Sequence, residues 1–265
     1  MAITSVDDIA SGLASQQRLP YFKSLNSAKA AGSWVSGWRA AGYPGAGAVA
    51  PVYTVGSGYT CNISTAGAIP LTNGSIKNWI ARFSGMASLA GSIILYDRLW
   101  SCSGMGFAAS TYTVTTPGAL PARITDGGVG CEIWCEQFVV AGAATGTLAV
   151  NYLNEAGAPK AGVIGTVVSA PAVAQMQPVP LQMGDLGVSQ IVSAVNSNTW
   201  TSGTFGITII KRIVEIPVSV AGVMSVCDWA QVLAEVPADA CLALMYQATT
   251  TTAASILGTI SVIDK

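Results

Sequence analysis

The chain has 265 residues, with 12 Lys and Arg, 13 Asp and Glu, and a net charge of −1. Only 9% of its residues are charged, against roughly a quarter in an ordinary soluble domain. Nucleic-acid binding is disfavoured, because no segment has the cluster of basic residues that phosphate neutralisation requires. Hydrophobic residues make up 51% of the chain, so we expect protein partners to cover part of its exterior.

The uncharged stretches do not predict a membrane protein. Two long examples are residues 40–76 and 161–184, and each contains three prolines and many polar residues. Neither can span lipid as a continuous helix. The first residues lack a basic segment that leads into an apolar run, which predicts no secretory signal. We therefore expect assembly in the cytoplasm, without a membrane partner.

The N-terminal part differs from the rest of the chain. Ser5 followed by Asp7 and Asp8 predicts a short helix that ends near residue 14. A second segment, residues 25–41, places Trp34 and Trp38 four positions apart, on one face if it is helical. We interpret residues 1–60 as an extended N-terminal arm with short helical segments. The arm either lies on a neighbouring subunit or packs back on its own domain.

From residue 75 onward, β-branched runs separated by Gly, Pro and Asn predict strands. The predicted strands are residues 76–83, 92–100, 131–140, 147–154, 162–168, 188–195, 204–216, 242–248 and 256–263. Their spacing, without long helices between them, predicts an all-β fold, an antiparallel, jelly-roll-like β-sandwich over residues 61–265.

Three local features refine this prediction. The strands 131–140 and 147–154 are separated by a short Gly-rich linker, which predicts a hairpin. Residues 225–236 have apolar positions at the helix period and end before Pro237, which predicts one short helix near the C-terminus. The prolines and the Gly-Asp-x-Gly turn of residues 178–188 predict a short edge segment where the chain crosses between sheets.

The chain contains no histidine. This absence excludes Ser-His-Asp and Cys-His catalysis and disfavours the common transition-metal sites. Glu132 and Glu136 share one face of a predicted strand, so a carboxylate glycosidase is one alternative. No nucleotide-binding motif is present. We predict a protein that is not an enzyme, with no catalytic residues, no cofactor and no metal.

The most distinctive cluster of residues contains Asp97, Arg98 and Trp100. Neighbours on a strand point to opposite faces, so Asp97 and Arg98 each need a partner from another strand or another subunit. One interpretation is an intersubunit anchor, together with Trp34 and Trp38, as a candidate interface. The other, which we favour, is a structural salt bridge at the end of a strand.

Six cysteines give two interpretations. Cys131 and Cys135 are an even number of residues apart, so they lie on one face of a strand. Most of the six are expected to be inert buried thiols. The alternative is disulfide formation once the protein meets an oxidising medium. The candidates for disulfide formation are Cys61, Cys102, Cys131, Cys135, Cys227 and Cys241.

Six segments of the chain are distinctive: IILYDRLW (93–100), GCEIWCE (130–136), NYLN (151–154), LQMGDLGV (181–188), GTFGIT (203–208) and DACLA (239–243). They resemble segments of a group of tailed-bacteriophage virion structural proteins. The resemblance implies a structural, non-catalytic role. The family has Val or Leu where this chain has Cys131 and Cys135, which favours a local disulfide role for these two residues.

The low charge, the sandwich and the arm together predict a capsid decoration, or cement, protein. We expect a homotrimer that is seated on the major capsid protein at the exterior of the virion, after assembly in the host cytoplasm. The alternative is a host-binding module or a fibre, neck or baseplate component, with Trp and Tyr side chains as a sugar platform.

Overall fold

The computed structural model describes residues 3, 5–14, 16–28, 30–47, 57–72, 78–107, 111–114, 120–140, 142, 146–167, 173–197, 202–231 and 234–264. Within them the chain forms one helix, α1 (Val6–Leu13), and seventeen strands. The strands are β1 Gln17–Ser24, β2 Trp34–Ser36, β3 Ala41–Tyr43, β4 Gly58–Thr60, β5 Asn78–Ala87, β6 Gly91–Gly106, β7 Thr111–Thr113, β8 Cys131–Val139, β9 Gly146–Asn154, β10 Pro159–Val167, β11 Gln175–Val179, β12 Val188–Asn196, β13 Thr204–Val218, β14 Ser225–Asp228, β15 Glu235–Val236, β16 Leu242–Ala248 and β17 Ser255–Asp264.

The helix α1 confirms the first prediction. The Ser5 side chain accepts a hydrogen bond from the Asp8 N–H, and the Asp8 carboxylate accepts one from the Ser5 N–H. Ile9 packs against Ala81 and Ile263, which fixes the helix at one end of a sheet. In the part of the chain that the structure describes, no helix has the length and apolarity to cross a membrane.

The described strands form three antiparallel sheets. A seven-stranded sheet has the order β13-β8-β11-β2-β16-β6-β4, and β6 also pairs with β13. Six of its strands therefore close into a barrel, with β4 outside it on the edge of β6. A six-stranded sheet has the order β14-β5-β17-β1-β3, with β15 also on β5, and a four-stranded sheet has the order β10-β9-β12-β7. This confirms the all-β antiparallel class, although the sequence did not predict the barrel.

The barrel lies between the other two sheets. Its interior contains Ile94, Tyr96 and Trp134. One apolar core joins its outer surface to the six-stranded sheet, and a second core joins it to the four-stranded sheet. The register shifts between β6 and β13 are bulges that bend these two long strands, which allows each of them to contact both cores.

All nine strands predicted from the sequence are present, with small differences at their ends. Ile76 and Val168, which two of the predictions included, lie outside the described residues. The predicted hairpin is wrong, because β8 pairs with β13 and β11, whereas β9 pairs with β10 and β12. Cys131 and Ile133 of β8 pack against Leu148 of β9 across a shared core. The two strands thus belong to opposed sheets.

The predicted C-terminal helix is also wrong. Residues 225–228 form β14 and residues 235–236 form β15, and both strands pair with β5. Val226 and Trp229 are exposed, so their helical spacing does not mark a buried helix face. Leu233, the last residue of that pattern, lies outside the described residues. The segment instead supplies backbone hydrogen bonds to one edge of β5.

The first 60 residues contribute strands to two sheets of the same chain. The strand β1 lies between β17 and β3, and β2 lies between β11 and β16. Of the two alternatives for this arm, the described strands thus pack on their own chain. The predicted second helix is wrong, because Trp34 begins β2 and Trp38 follows a turn at Gly37. A Cβ on Gly37 would lie 2.8 Å from the Leu244 carbonyl oxygen, so only glycine fits this approach.

The segment 178–188 crosses between sheets as predicted, from β11 of the barrel to β12 of the four-stranded sheet. Gln175 and Met176 of β11 lie between β8 and β2, but Pro178 and Val179 pair with β8 alone, so the segment begins at a sheet edge as predicted. Pro178 is tolerated there because no β2 residue lies opposite it. On that side no strand requires a hydrogen bond from the N–H group that proline lacks.

Candidate functional site

The outer face of the six-stranded sheet has an exposed row of large apolar side chains. Phe22 of β1 lies directly opposite Tyr43 of β3 on one side and Leu257 of β17 on the other. Leu257 in turn lies opposite Met86 of β5. Tyr43, Phe22 and Leu257 are 49%, 44% and 36% exposed. We call Tyr43, Phe22, Leu257 and Met86 the apolar row; it crosses four neighbouring strands.

The apolar row continues towards the β14 edge. Ser225 pairs with Gly85, so the preceding residue, Met224, lies beside Met86 and is also exposed. The row exists because alternate residues of a strand face the same side, and each of these strands places a bulky apolar residue at this level on its outer side. Cross-strand neighbours at this spacing form one continuous surface.

A groove of about 680 Å³ adjoins the apolar row on the same face. Its floor has a polar row in which Arg18, Ser261, Arg82 and Asp228 lie opposite one another on β1, β17, β5 and β14. Its other lining residues include Leu13, Gln16, Ser84, Met224, Val226, Trp229 and Thr259. Hydroxyl groups, two guanidinium groups, a carboxylate and an indole ring therefore border a single groove.

The outer face of the four-stranded sheet is different. Its corresponding row is Thr111, Val195, Ala149 and Val163, which lie opposite one another on β7, β12, β9 and β10. Only Val163 of this row is a large hydrophobic residue with high exposure, at 46%. Because the row lacks aromatic and methionine side chains, its exposed apolar area is smaller. We call it the small-residue row.

Four of the five predicted interface residues lie in the interior of the subunit. Trp38, Asp97, Arg98 and Trp100 are all buried, so they cannot contact another subunit in this conformation. The intersubunit anchor is therefore wrong, and a structural role replaces it. Only Trp34 is partly exposed; its ring lies edge-on to that of Trp134, with a centroid separation of 5.9 Å.

Arg98 forms an ion pair inside the barrel. Its Nη2 lies 2.9 Å from Glu136 Oε2, and the two side chains are 1% and 0% exposed. The guanidinium also lies over the Trp38 ring, 4.9 Å from the centroid. Burial alone would lower the pKa of Arg98, but the Glu136 carboxylate outweighs burial and holds this pKa above its ordinary value. Arg98 therefore stays charged in the core.

Asp97 points to the opposite side of β6, as the strand geometry predicts, and is paired with Arg123. The Arg123 Nε lies 2.7 Å from Asp97 Oδ2, and its Nη2 lies 2.9 Å from Asp97 Oδ1. Arg123 also donates to the Cys61 carbonyl at 2.9 Å. Sequence reasoning missed Arg123, which lies between strands. It could have been inferred, because a buried Asp97 requires a basic partner and the chain has only 12 basic residues.

The acidic residues considered for catalysis are neutralised inside the chain. Glu136 is paired with Arg98, and Glu132 lies 2.7 Å from the Arg212 Nε. Because Glu136 is fully buried, a substrate cannot reach it. Among the described residues, no group of three or more Cys, Asp or Glu side chains is placed to hold a metal ion. Both carboxylates are thus engaged in ion pairs within the chain.

All six cysteines are free thiols. Cys131 and Cys135 share one face of β8, as predicted, and lie in the core against the four-stranded sheet with Cys102. Burial raises the pKa of Cys102 and Cys131 to about 12, so these thiols stay protonated and unreactive at neutral pH. Cys61 and Cys241 lie instead in the barrel core, and Cys227 is half-buried on β14.

Comparisons with known proteins give distant structural neighbours only. No protein-family model and no curated protein matches the chain. A family 11 carbohydrate-binding module of a Clostridium thermocellum cellulase has a TM-score of 0.22 and 14% identity, over 54% of this chain and 88% of that chain.

Two viral proteins are at a similar distance. The infectious bursal disease virus VP2 subviral particle has a TM-score of 0.20 and 6% identity, over 94% of this chain and 80% of that chain. The Gx strain of the same virus has a TM-score of 0.19 and 10% identity, over 94% and 67%. These scores are too low to define a shared fold beyond the β-rich class.

Proposed function

We propose that this protein is a structural component of a tailed-bacteriophage particle, and that it decorates the exterior of the head as a cement protein. The observation that carries the proposal is the apolar row, which crosses four strands of one face and has three exposed members, Tyr43, Phe22 and Leu257. In a chain with so few charges, such a face is expected to be covered by a neighbouring subunit. The proposed neighbour is the major capsid protein.

The energetics favour apolar contact over ionic contact at this face. Removing apolar surface from water contributes about 25 cal/mol per Å², so a contact of several hundred Å² stabilises by several kcal/mol. An exposed ion pair contributes only about 0–1 kcal/mol. The apolar row itself has no charged side chain, so association through it should be insensitive to salt. The proposal includes self-association as a homotrimer, assembly in the host cytoplasm and no catalytic step.

Head stability tests this function. Particles assembled without the protein should release their genome at a lower temperature than complete particles, and added wild-type protein should restore the higher temperature. Restoration should be equal at low and at high salt and in the presence of a chelator. Heads of equal thermal stability with and without the protein would contradict the cement role. Sedimentation equilibrium of the purified chain tests the proposed trimer.

The groove supports a second candidate, a host-binding role in a fibre, neck or baseplate. Sugar-binding sites commonly combine an aromatic face with hydrogen-bonding side chains, and Trp229 borders a groove that also contains Arg82, Asp228 and Ser261. A Trp229→Ala variant should then reduce adsorption to host cells and leave head stability unchanged. Copy number separates the two roles, since hundreds of copies per virion indicate a cement protein and a handful indicates a fibre or baseplate.

A further inference from the structure

Two cysteines from distant parts of the sequence meet at one edge of β6. Thr60 of β4 pairs with Trp100, so the next residue, Cys61, lies opposite Leu99, and its N–H donates to the Leu99 carbonyl at 2.9 Å. Leu242 of β16 pairs with Asp97, so the preceding Cys241 lies opposite Arg98, whose N–H donates to the Cys241 carbonyl at 2.8 Å. The end of β4 and the start of β16 thus meet end to end.

Their separation suits a disulfide. The Cys61 and Cys241 side chains are in hydrogen-bond contact, so their sulfurs lie close together. A disulfide requires the two sulfurs to close to about 2.05 Å. Both side chains lie in the barrel core, so they point to the same side of β6. The two sulfurs can therefore be joined with small backbone adjustments.

The Asp97–Arg123 pair holds the two segments in place. Arg123 donates to the Cys61 carbonyl, and the Asp97 carboxylate accepts a hydrogen bond from the Cys241 N–H at 2.8 Å. One ion pair therefore contacts the backbone of both cysteines, and Asp97 and Arg123 are nearly buried. The thiols cannot drift apart without breaking this network.

The surroundings also favour a thiolate at one of the two sulfurs. Burial raises the pKa of Cys61, but the hydrogen bond with Cys241 and the nearby Arg98 charge outweigh burial, and the net pKa is lowered. Burial and the same hydrogen bond raise the pKa of Cys241. Cys61 therefore loses its proton more readily than Cys241, which donates the hydrogen bond.

We propose that Cys61 and Cys241 form an intramolecular disulfide when the protein meets a peroxide oxidant, which fastens β4 to β16 along β6. The Cys61 thiolate attacks the O–O bond of hydrogen peroxide and becomes a sulfenic acid, and the hydroxide released takes a proton to form water. The Cys241 sulfur then attacks the Cys61 sulfur, the S–O bond breaks, and a second water leaves with the Cys241 proton. Two thiols and one peroxide thus give one disulfide and two waters.

A water-sized oxidant has a route to this pair. The strand β4 has three residues and lies outside the barrel, paired only with β6. Thr60 and Asn62 on either side of Cys61 are exposed. Edge strands this short open more easily than interior strands, so brief opening of β4 admits peroxide. The barrel itself does not need to unfold.

The other cysteines are poorly placed for intramolecular bonds. Cys131 and Cys135 are four residues apart on one strand, roughly 13 Å, beyond the reach of a disulfide. Cys102 and Cys135 both lie opposite Ile207, on the two neighbours of β13, and are therefore roughly 10 Å apart. The local disulfide role suggested for Cys131 and Cys135 therefore cannot be a bond between these two residues. Cys102 and Cys135 serve as controls.

Peptide mapping tests the proposal. Cys61 is the only cysteine of the tryptic peptide 40–77, whereas peptide 213–265 contains Cys227 and Cys241, so a Cys227→Ser background removes the ambiguity. After peroxide treatment of the folded protein, these two peptides should migrate as one species that has lost two hydrogen atoms and separates on reduction. The subunit should remain uncross-linked on non-reducing gels.

Thermal unfolding gives an independent result. Oxidation should raise the Tm by several degrees, because the bond closes a loop of about 180 residues in the unfolded chain, and reductant should reverse the rise. Cys61→Ala should abolish the rise, and Cys102→Ala should retain it. Stable sulfenic or sulfinic acid at Cys61 without a linked peptide, or bonds between subunits, would overturn the proposal. Neither outcome bears on the cement role, which is tested on heads.

Discussion

The barrel interior and the outer face of the six-stranded sheet reverse the usual placement of residues. Inside the barrel, Arg98 and Glu136 form an ion pair with almost no exposure. On the outer face, Tyr43, Phe22 and Leu257 are each more than one-third exposed. Charged residues rarely occupy a core unless paired, and contiguous exposed apolar surface marks interaction sites. In this chain, charged side chains thus pair within the fold, whereas large apolar side chains are left exposed on one face.

The largest expected effect comes from breaking the interior ion pair. Arg98→Met keeps much of the side-chain volume but leaves Glu136 buried without its partner, which should lower the free energy of unfolding by about 3–5 kcal/mol. Arg212→Met is the matched control, because Arg212 pairs with Glu132 at 2.7 Å but is partly exposed. Its loss should cost about 1 kcal/mol or less. Urea unfolding measures the change in the free energy of unfolding for both variants. Equal changes would contradict the expected difference between a buried and an exposed ion pair.

The same comparison shows what the sequence could predict. Runs of β-branched residues between Gly, Pro and Asn located all nine predicted strands, and the pattern of Ser5, Asp7 and Asp8 located α1, because both signals are local. Pairing is not local. The sequence signal of β8 and β9 is the same whether the two strands are neighbours in one sheet or face each other across a core, so the hairpin was wrong.

The candidate site was harder to predict for a related reason. The sequence shows that Asp97 and Arg98 need partners, but Arg123 and Glu136 are identified only when β6, β8 and a loop are brought together. The apolar row was not predicted, because its members come from four different strands and each strand contributes a single residue. A helical period misled at Trp34 and Trp38, where Gly37 allows a tight approach to β16.

The next largest effect concerns the apolar row. A Phe22→Ser, Leu257→Ser double variant should bind heads that lack the protein roughly 10–100-fold more weakly, since about 1.4–2.8 kcal/mol of apolar contact is lost. Its unfolding free energy should change by about 1 kcal/mol or less, because the side chains are already exposed. Quantitative binding to heads and urea unfolding give the two numbers.

Val163→Ser of the small-residue row is the matched control for that experiment. Val163 and Phe22 have nearly equal exposure, at 46% and 44%, but lie on different sheets. The control should bind heads as tightly as the wild type. If both variants weaken binding equally, the six-stranded face has no special role, and if neither does, the capsid contact lies elsewhere.

The smallest effect concerns a charge directly beneath the apolar row. Lys23 follows Phe22 on β1 and points inward, where its ammonium group donates to the Ala40, Pro44 and Gly45 carbonyls at 3.3, 2.7 and 3.2 Å. Burial lowers the pKa of Lys23 from 10.5 to about 8. Between these two values the unfolded chain binds more protons than the folded chain, so stability rises with pH across that window.

The rise attributable to Lys23 should be about 1 kcal/mol between pH 7 and pH 9. It is measured as the difference in unfolding free energy between the wild type and Lys23→Met, which removes the contributions of other groups. A difference that stays constant over this range would show that the three carbonyl contacts compensate burial completely. In that case the charged Lys23 side chain would be as stable on the inner side of β1 as it is in water.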